Sequence, residues 1–251
     1  QYYSALASAE RLMELESNED EPLPAEKAEL EKIKSDFRSI EVNNLCFGYG
    51  GEVILNDCSF SAERGHITAI TGESGSGKST LFKLMLGLYE PQSGSITVNG
   101  NIPLDASMRG LFAYVPQGNM VLSGTVRDNI TMCDPAITDE QIERAARAAE
   151  IYDYIVSLPE GFETRLAERG AGLSEGQIQR ISIARALLTD TPVILLDEAT
   201  SALDEETETR VLTNIKSMTD KTILFITHRN TSLKACDRIV HVENKNFSVI
   251  K

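Results

Sequence analysis

One stretch of the chain has the residue types and spacing of a phosphate-binding loop. It reads Gly-Glu-Ser-Gly-Ser-Gly-Lys-Ser-Thr and fits the pattern G-x-x-x-x-G-K-[ST] between a strand-like run and a helix-like run. The glycines let successive backbone N–H groups point at phosphate oxygens, and the following helix adds its positive end. The lysine would reach the β- and γ-phosphates, and the serine after it would bind Mg²⁺. The predicted phosphate-contacting residues are Gly72, Glu73, Ser74, Gly75, Ser76, Gly77, Lys78, Ser79 and Thr80.

Two acidic residues form the second half of a predicted nucleotide site. They follow the apolar run Val193 to Leu196, which is typical of a buried strand. Ligands of open α/β sheets bind at the carboxyl ends of such strands. Asp197 offers a carboxylate for Mg²⁺, and Glu198 can accept a proton from an attacking water. An ordinary acidic helix start would give the same pair, so the assignment depends on the phosphate loop.

Short apolar runs and helical runs alternate around these residues, which predicts a parallel sheet covered on both faces. The predicted strands of this part are 66–71, 111–115, 193–196, 222–227 and 238–242, and its helices are 78–88 and 205–218. Antiparallel strands are expected near 40–42 and 53–55, with a further strand at 95–98. Residues 124–188 are mostly helical in pattern, which indicates an inserted subdomain.

Composition excludes several classes of protein. The 251 residues carry a net charge of −14, which disfavours broad binding to nucleic acid or anionic lipid. No apolar run is as long as a membrane-spanning helix. The four cysteines form no C-x-x-C pair, which disfavours zinc and favours free, buried thiols in a reducing intracellular compartment.

The first 36 residues differ from the rest. Residues 2–16 are helix formers with apolar residues at helical spacing, and residues 17–24 are acidic with two prolines, as in a linker. Residue 1 is Gln rather than Met, so we interpret the chain as a fragment or a processed product.

Between the two halves of the predicted site, residues 173–177 read Leu-Ser-Glu-Gly-Gln and resemble the LSGGQ signature of ATP-binding cassette (ABC) proteins. Four further segments match that family in the right order, so that the resemblance covers about residues 38–251. They are Tyr49 (the adenine-stacking aromatic), Tyr114–Gln117 (the glutamine loop), Ser201–Asp204 (the D-loop) and Thr227–Arg229 (the switch histidine).

The resemblance implies an α/β fold: a P-loop NTPase core with a RecA-like parallel sheet, an antiparallel β subdomain and an inserted helical subdomain at about 118–188. It implies that the domain binds and hydrolyses ATP with Mg²⁺ in a head-to-tail dimer of two cassettes. The implied catalytic residues are Lys78, Gln117, Glu198 and His228. The implied metal ligands are Ser79, Gln117 and Asp197. Beyond the phosphate loop, the implied nucleotide contacts are Tyr49 in one cassette and Ser174, Gly176 and Gln177 in the other.

Three segments resemble exporters in particular. Residues 167–170 and 123–130 are similar to exporter-type cassettes, and residues 2–16 resemble the cytoplasmic end of the last transmembrane helix of an exporter. The implied protein is a bacterial half-transporter, with a membrane-helix end and acidic linker at 1–37 and the cassette at 38–251. Its partners would be ATP, a second cassette and a transmembrane domain on the same polypeptide, at the cytoplasmic face of the membrane, with no nucleic acid.

Two positions depart from the family pattern. Glu175 stands where the signature usually has Gly, and a carboxylate facing a γ-phosphate would repel it by a few kcal/mol if partly desolvated. Glu175 must therefore point away, or the site that it completes is weakened. Ile178 replaces the usual basic residue after the signature.

Three other functions fit parts of the pattern. A soluble ABC ATPase of DNA repair or translation would need nucleic-acid contacts, which the net charge of −14 does not support. An importer-type cassette would begin near Ser39 as a separate subunit. A nucleotide switch without catalysis would be expected to lose Glu198.

Overall fold

The structure is a computed structural model that describes residues 22–118, 121–166 and 172–251. The predicted helix at 2–16 and the exporter-like segment 167–170 lie outside the described residues.

The described residues form the following strands: β1 Ser39–Tyr49, β2 Glu52–Glu63, β3 Ile67–Gly72, β4 Ser93–Val98, β5 Ile102–Pro103, β6 Phe112–Val115, β7 Gly124–Thr125, β8 Arg165–Leu166, β9 Val193–Asp197, β10 Thr222–Ile226, β11 Arg238–Glu243 and β12 Asn246–Val249. Helices are α1 Lys27–Ser35, α2 Lys78–Met85, α3 Val126–Thr131, α4 Asp139–Ala148, α5 Tyr152–Ser157, α6 Glu175–Leu188 and α7 Glu205–Lys216.

The central sheet runs in the order β12–β11–β3–β10–β9–β6 and is parallel except for β12. Its middle strands are apolar throughout because both faces are covered. In β9, Val193 and Leu195 enter one core, whereas Ile194 and Leu196 enter the other. This confirms the predicted parallel sheet and brings the carboxyl ends of β3, β6, β9 and β10 to one edge.

The two cores separate the subdomains. One contains α2 and the antiparallel sheet β2–β1–β4–β5. The other contains the helices of residues 126–188 together with α7. The predicted α/β cassette with an antiparallel subdomain and a helical subdomain is therefore confirmed, although the helical stretch also includes the short antiparallel pair β7–β8.

A helix that the sequence did not predict follows the acidic stretch of residues 17–24. Residues 27–35 form α1, and Ile33 and Phe37 are buried in the core of the antiparallel subdomain. Ile33 lies in the last turn of α1 and Phe37 directly after its C-cap, so the end of the helix is anchored on the cassette. The role of residues 1–37 as a link to a membrane helix stays a prediction.

Two smaller expectations also change. Helix α2 ends at Met85 instead of residue 88, because Leu88 N–H donates to Lys83 O and Gly87 N–H to Leu84 O in a Schellman motif. Only two of the four thiols are buried: burial raises the pKa of Cys58 to about 11 and of Cys236 to about 12. Cys133 is exposed, in the turn after α3. Within the described ranges, no helix combines enough length and apolar character to cross a bilayer.

Candidate nucleotide-binding site

The phosphate loop joins β3 to α2 and needs glycine where the helix begins. Gly77 is the N-cap of α2 with a left-handed φ of 100°. A Cβ at this position would lie 2.8 Å from Cγ2 of Ile54 and 2.9 Å from Cδ2 of Leu55. Because Gly77 provides no side-chain cap, the first N–H groups of the helix stay available to an anion.

The side chain of Lys78, at the end of the phosphate loop, reaches back to the residues at the start of the loop. Its Nζ donates to the carbonyl oxygens of Gly72 at 3.0 Å and Glu73 at 2.6 Å. An ammonium has three donors, so one remains for a phosphate oxygen. Burial lowers the pKa of Lys78, whereas the nearby carboxylates of Glu198 and Asp197 raise it. The positive charge is therefore buried beside the acids and over the loop.

One buried hydroxyl in the loop supports a phosphate ligand. Ser76 Oγ is buried and has no hydrogen-bond partner among the described residues. Such an unpaired group costs about 1–3 kcal/mol, and a phosphate oxygen would satisfy it. Glu73, Ser74 and Gly75 are exposed on the loop, and Thr80 is buried in α2.

The carboxylate at the end of β9 has a donor on each oxygen. Ser79 Oγ donates to Asp197 Oδ1 at 3.0 Å, and the Tyr114 hydroxyl donates to Oδ2 at 3.1 Å. Asp197 is 2% exposed. Burial raises the pKa of Asp197, and the two hydroxyl donors lower it. The sequence predicted Ser79 and Asp197 as neighbours but gave Tyr114 no role beyond the glutamine loop.

Glu198 is held by two loops. Gln117 Nε2 donates to its Oε2 at 2.8 Å, and His228 Nε2 lies 3.1 Å from its Oε1. Its φ is 52°, a left-handed conformation that costs a non-glycine residue about 1–3 kcal/mol and occurs often at functional sites. The Glu198 N–H donates to the carbonyl of Ile226 at 3.2 Å, which fixes this turn. The Glu198 side chain remains 25% exposed, so water can reach it.

Tyr49 lies in an aromatic cluster at the end of β1. Its ring centroid is 4.9 Å from that of Phe47 and 5.2 Å from that of Tyr89, both close to perpendicular. Tyr49 is 37% exposed. It therefore combines a fixed position with free surface, as a stacking platform for a base requires. The sequence did not single out Phe47 or Tyr89, which hold it.

The signature residues contact one another instead of the phosphate loop. Ser174 is the N-cap of α6: Gln177 N–H donates to its Oγ at 3.2 Å, and Ser174 N–H donates to Gln177 Oε1 at 2.7 Å. A Cβ on Gly176 would lie 3.0 Å from the carbonyl oxygen of Ala202, so a small residue lets α6 approach the D-loop. None of the described hydrogen bonds of these residues reaches the phosphate loop.

The two departures from the family pattern have different environments. Ile178 is 4% exposed and belongs to the helical core, which explains an apolar residue at that position. Glu175 is exposed in the first turn of α6, where the helix dipole favours a negative charge.

Two side chains, Gln179 and Arg229, connect the signature helix and the switch-histidine segment to the D-loop through contacts that the sequence did not predict. Gln179 Nε2 donates to Ser201 Oγ at 3.0 Å, and Ala202 N–H donates to Gln179 Oε1 at 3.0 Å. Arg229, next to the switch histidine, donates to the carbonyl of Leu203 at 2.6 Å and pairs with the buried Glu208 at 3.2 Å. Buried amide and guanidinium groups need hydrogen-bond partners, and this need was the one signal in the sequence that could have indicated these contacts.

Comparison with known proteins places this geometry in a family. A family model described as "ABC transporter" matches residues 55–201, which is more than half of the chain. The chain belongs to the ABC transporter family. It is an ATP-binding domain of that family of ATPases, with the phosphate loop, the β9 acids and the signature all within residues 55–201.

Exporter proteins are among its relatives. The chain is 42% identical over 248 residues to a Haemophilus influenzae "Probable ABC transporter ATP-binding/permease protein", covering 97% of the chain and 44% of the relative. It is 41% identical over 242 residues to the "ATP-dependent lipid A-core flippase" of Desulfotalea psychrophila, covering 95% and 42%. The chain thus spans less than half the length of these relatives.

A solved structure has the same fold. "Structure of a bacterial Atm1-family ABC exporter with ATP bound" superposes with a TM-score of 0.78 at 33% sequence identity. The match covers 84% of this chain and 38% of that one.

Proposed function

We propose that this cassette hydrolyses ATP to power export across a membrane, through ATP-driven closure of two cassettes. The observation that carries the proposal is the pairing of Glu198 with Gln117 and His228, next to the buried Lys78 and Asp197. The names of the relatives, a flippase and an ATP-binding/permease protein, and of the exporter structure support export over the soluble and importer alternatives.

Each side chain has a defined part in the hydrolysis. Lys78 and the α2 N-terminus bind the phosphates and stabilise negative charge that develops on the γ-phosphoryl group. Glu198 accepts a proton from the water that attacks the γ-phosphorus, and the bond from that phosphorus to the β–γ bridging oxygen breaks to release ADP. His228 and Gln117 orient the Glu198 carboxylate and sense the γ-phosphate.

The chemistry of the three predicted metal ligands fits Mg²⁺. A hydroxyl (Ser79), a carboxylate (Asp197) and an amide oxygen (Gln117) are the hard oxygen ligands that this ion prefers. Among the described residues, no group of three or more His, Cys, Asp or Glu side chains is arranged to hold a metal ion. Mg²⁺ commonly binds through one or two carboxylates together with substrate phosphates. Bound there, Mg²⁺ would neutralise phosphate charge.

A second cassette would complete the site. In the part of the chain that the structure describes, no hydrogen bond joins Ser174, Gly176 or Gln177 to the phosphate loop, and we assign these residues to the ATP of a partner in a head-to-tail dimer. When residues 1–251 are studied alone, nothing tethers two copies, so their effective concentration is low. The chain is expected to be a monomer without nucleotide. In the longer protein, we place the cassette at the cytoplasmic face of the membrane, fused to a transmembrane domain.

The test is Glu198→Gln, a nearly isosteric change that cannot accept a proton at neutral pH. Hydrolysis should fall about 10²–10⁴-fold, while Lys78, Ser79 and Asp197 still bind Mg-ATP. The trapped nucleotide should produce a dimer in size-exclusion chromatography with multi-angle scattering.

The matched control is Glu163→Gln, a glutamate of the helical subdomain that pairs with Arg127. It should hydrolyse ATP at the parental rate. Undiminished turnover in Glu198→Gln would contradict the catalytic assignment, and absence of an ATP-dependent dimer would contradict the two-cassette site.

A further inference from the structure

The carboxylate of Asp197 is fixed from two sides by hydroxyl groups that do different work. Ser79, on its Oδ1, belongs to the phosphate loop and α2. Tyr114, on its Oδ2, belongs to β6, on the other side of the carboxylate. With Asp197 only 2% exposed, water has little access to replace either donor.

Tyr114 is itself held in place before any ligand binds. On β6 it pairs with Leu195 of β9, two residues before Asp197 along the neighbouring parallel strand. Its ring packs edge-to-face on Phe82, with centroids 6.4 Å apart at 87°. Phe82 is fully buried on α2, one turn after Ser79. The hydroxyl therefore has a fixed direction, set by a strand and a helix.

We propose that Tyr114 is a positioning residue for the divalent cation: it fixes Oδ2 of Asp197, so that Oδ1 and the Ser79 hydroxyl face the ion. This inference rests on the proposed function, because it assumes that the Asp197 side of the site binds Mg²⁺ with ATP.

The physical reason is the cost of a buried carboxylate oxygen without a donor. A charge-assisted O–H···O⁻ bond is about twice as strong as a neutral one. Without the hydroxyl, the carboxylate would turn toward another donor, and Oδ1 would no longer face the ion beside Ser79. Partners that orient a metal ligand typically contribute about 10–100-fold to metal affinity.

The experiment is Tyr114→Phe, which keeps the ring on Phe82 and removes only the hydroxyl. Mn²⁺ serves as the probe: its binding to the chain with a non-hydrolysable ATP analogue is titrated by electron paramagnetic resonance. Mn²⁺ affinity should fall about 10-fold or more. Binding of a fluorescent ATP analogue in EDTA should stay within about twofold of the parent, because no metal is present for Tyr114 to influence.

Tyr154→Phe, on α5 in the helical subdomain, is the matched control and should leave Mn²⁺ binding unchanged. In an Asp197→Asn background, adding Tyr114→Phe should have no further effect on Mn²⁺ affinity, since there is no carboxylate to fix.

Three results would overturn the inference. Unchanged Mn²⁺ affinity in Tyr114→Phe would contradict the inference. An equal loss of nucleotide binding in EDTA would also contradict it, because the hydroxyl would then have only a structural role. If the parent bound the nucleotide without any Mn²⁺ effect, the proposed function would fail together with it.

Discussion

The two halves of an ATP site that this chain carries are built in opposite ways. On the phosphate-loop side, residues from β3, β6, β9 and β10 meet at one sheet edge, and their side chains bond across elements: Ser79 to Asp197 and Gln117 to Glu198. On the signature side, Ser174 and Gln177 satisfy each other at the start of one helix. Under the proposed function, the phosphate-loop side is the catalytic half, and the signature side acts on the ATP of a second copy.

The largest expected effect is a loss of ATP turnover after a change in the phosphate-loop half. Lys78→Ala removes the buried ammonium and its two bonds across the loop, so ATP turnover should fall by at least about 10²–10³-fold, the scale for losing one electrostatic donor. Lys83→Ala, on the same helix outside the loop, is the control and should retain turnover. A phosphate-release assay measures both. Parental turnover in Lys78→Ala would break the assignment of the catalytic half.

The next largest effect concerns the stacking of Tyr49 on the adenine of ATP. Tyr49→Ala should weaken ATP binding by about 1–3 kcal/mol, the scale of base–aromatic stacking. Tyr49→Phe keeps the ring and its packing on Phe47, and should bind within about twofold of the parent. Isothermal titration with an ATP analogue decides the matter. An unchanged dissociation constant for Tyr49→Ala would return Tyr49 to the role of a packing aromatic.

A sharper comparison uses two helix caps with the same chemistry. Ser174 caps α6 and Thr138 caps α4, each in a capping box with a glutamine three residues later. Ser174→Ala and Thr138→Ala should each lower the free energy of unfolding by about 1 kcal/mol. In the Glu198→Gln background, only Ser174→Ala should also weaken the ATP-dependent dimer. Equal dimers in both variants would deny the signature cap a part in the interface.

The smallest effect is expected at the exposed acid of the signature. Because Glu175 has no described partner and lies in the first turn of α6, Glu175→Gly should leave the ATP-dependent dimer of Glu198→Gln unchanged within about twofold, and stability should change by about 1 kcal/mol or less. Glu175→Gln, which removes the charge and keeps the length, is the control. A markedly tighter dimer in both variants would show that this carboxylate faces phosphate in the closed state.

The sequence predicted where the residues of the phosphate-loop half lie, because they come at the ends of strongly apolar strands. Lys78, Asp197 and Glu198 could be placed by loop pattern and strand position alone. The partner of Asp197 could not be placed in this way. Tyr114 is the first residue of the glutamine-loop segment, and only the parallel register of β6 and β9 brings its hydroxyl to a carboxylate 83 residues away.

Two other misses have local causes. Helix α1 has no side-chain cap at Glu26 and only nine residues, so its sequence is weakly helical by itself, and the burial of Ile33 and Phe37 decides its structure. The mutual capping of Ser174 and Gln177 was visible in the pattern S-x-x-Q, which is a capping-box signal as well as part of a signature.

The docking of α1 also bears on how the cassette would respond to a pull. As a helix, its nine residues span about 14 Å, whereas the same residues fully extended would reach about 30 Å. A free tether of that length would straighten before it moved anything. Because Ile33 and Phe37 are packed into the core, this stretch has no such slack, and tension applied at the start of α1 passes into the core of the antiparallel subdomain. A displacement at the start of α1 then displaces the core on which the helix packs, because little of it is taken up by stretching of the chain between them.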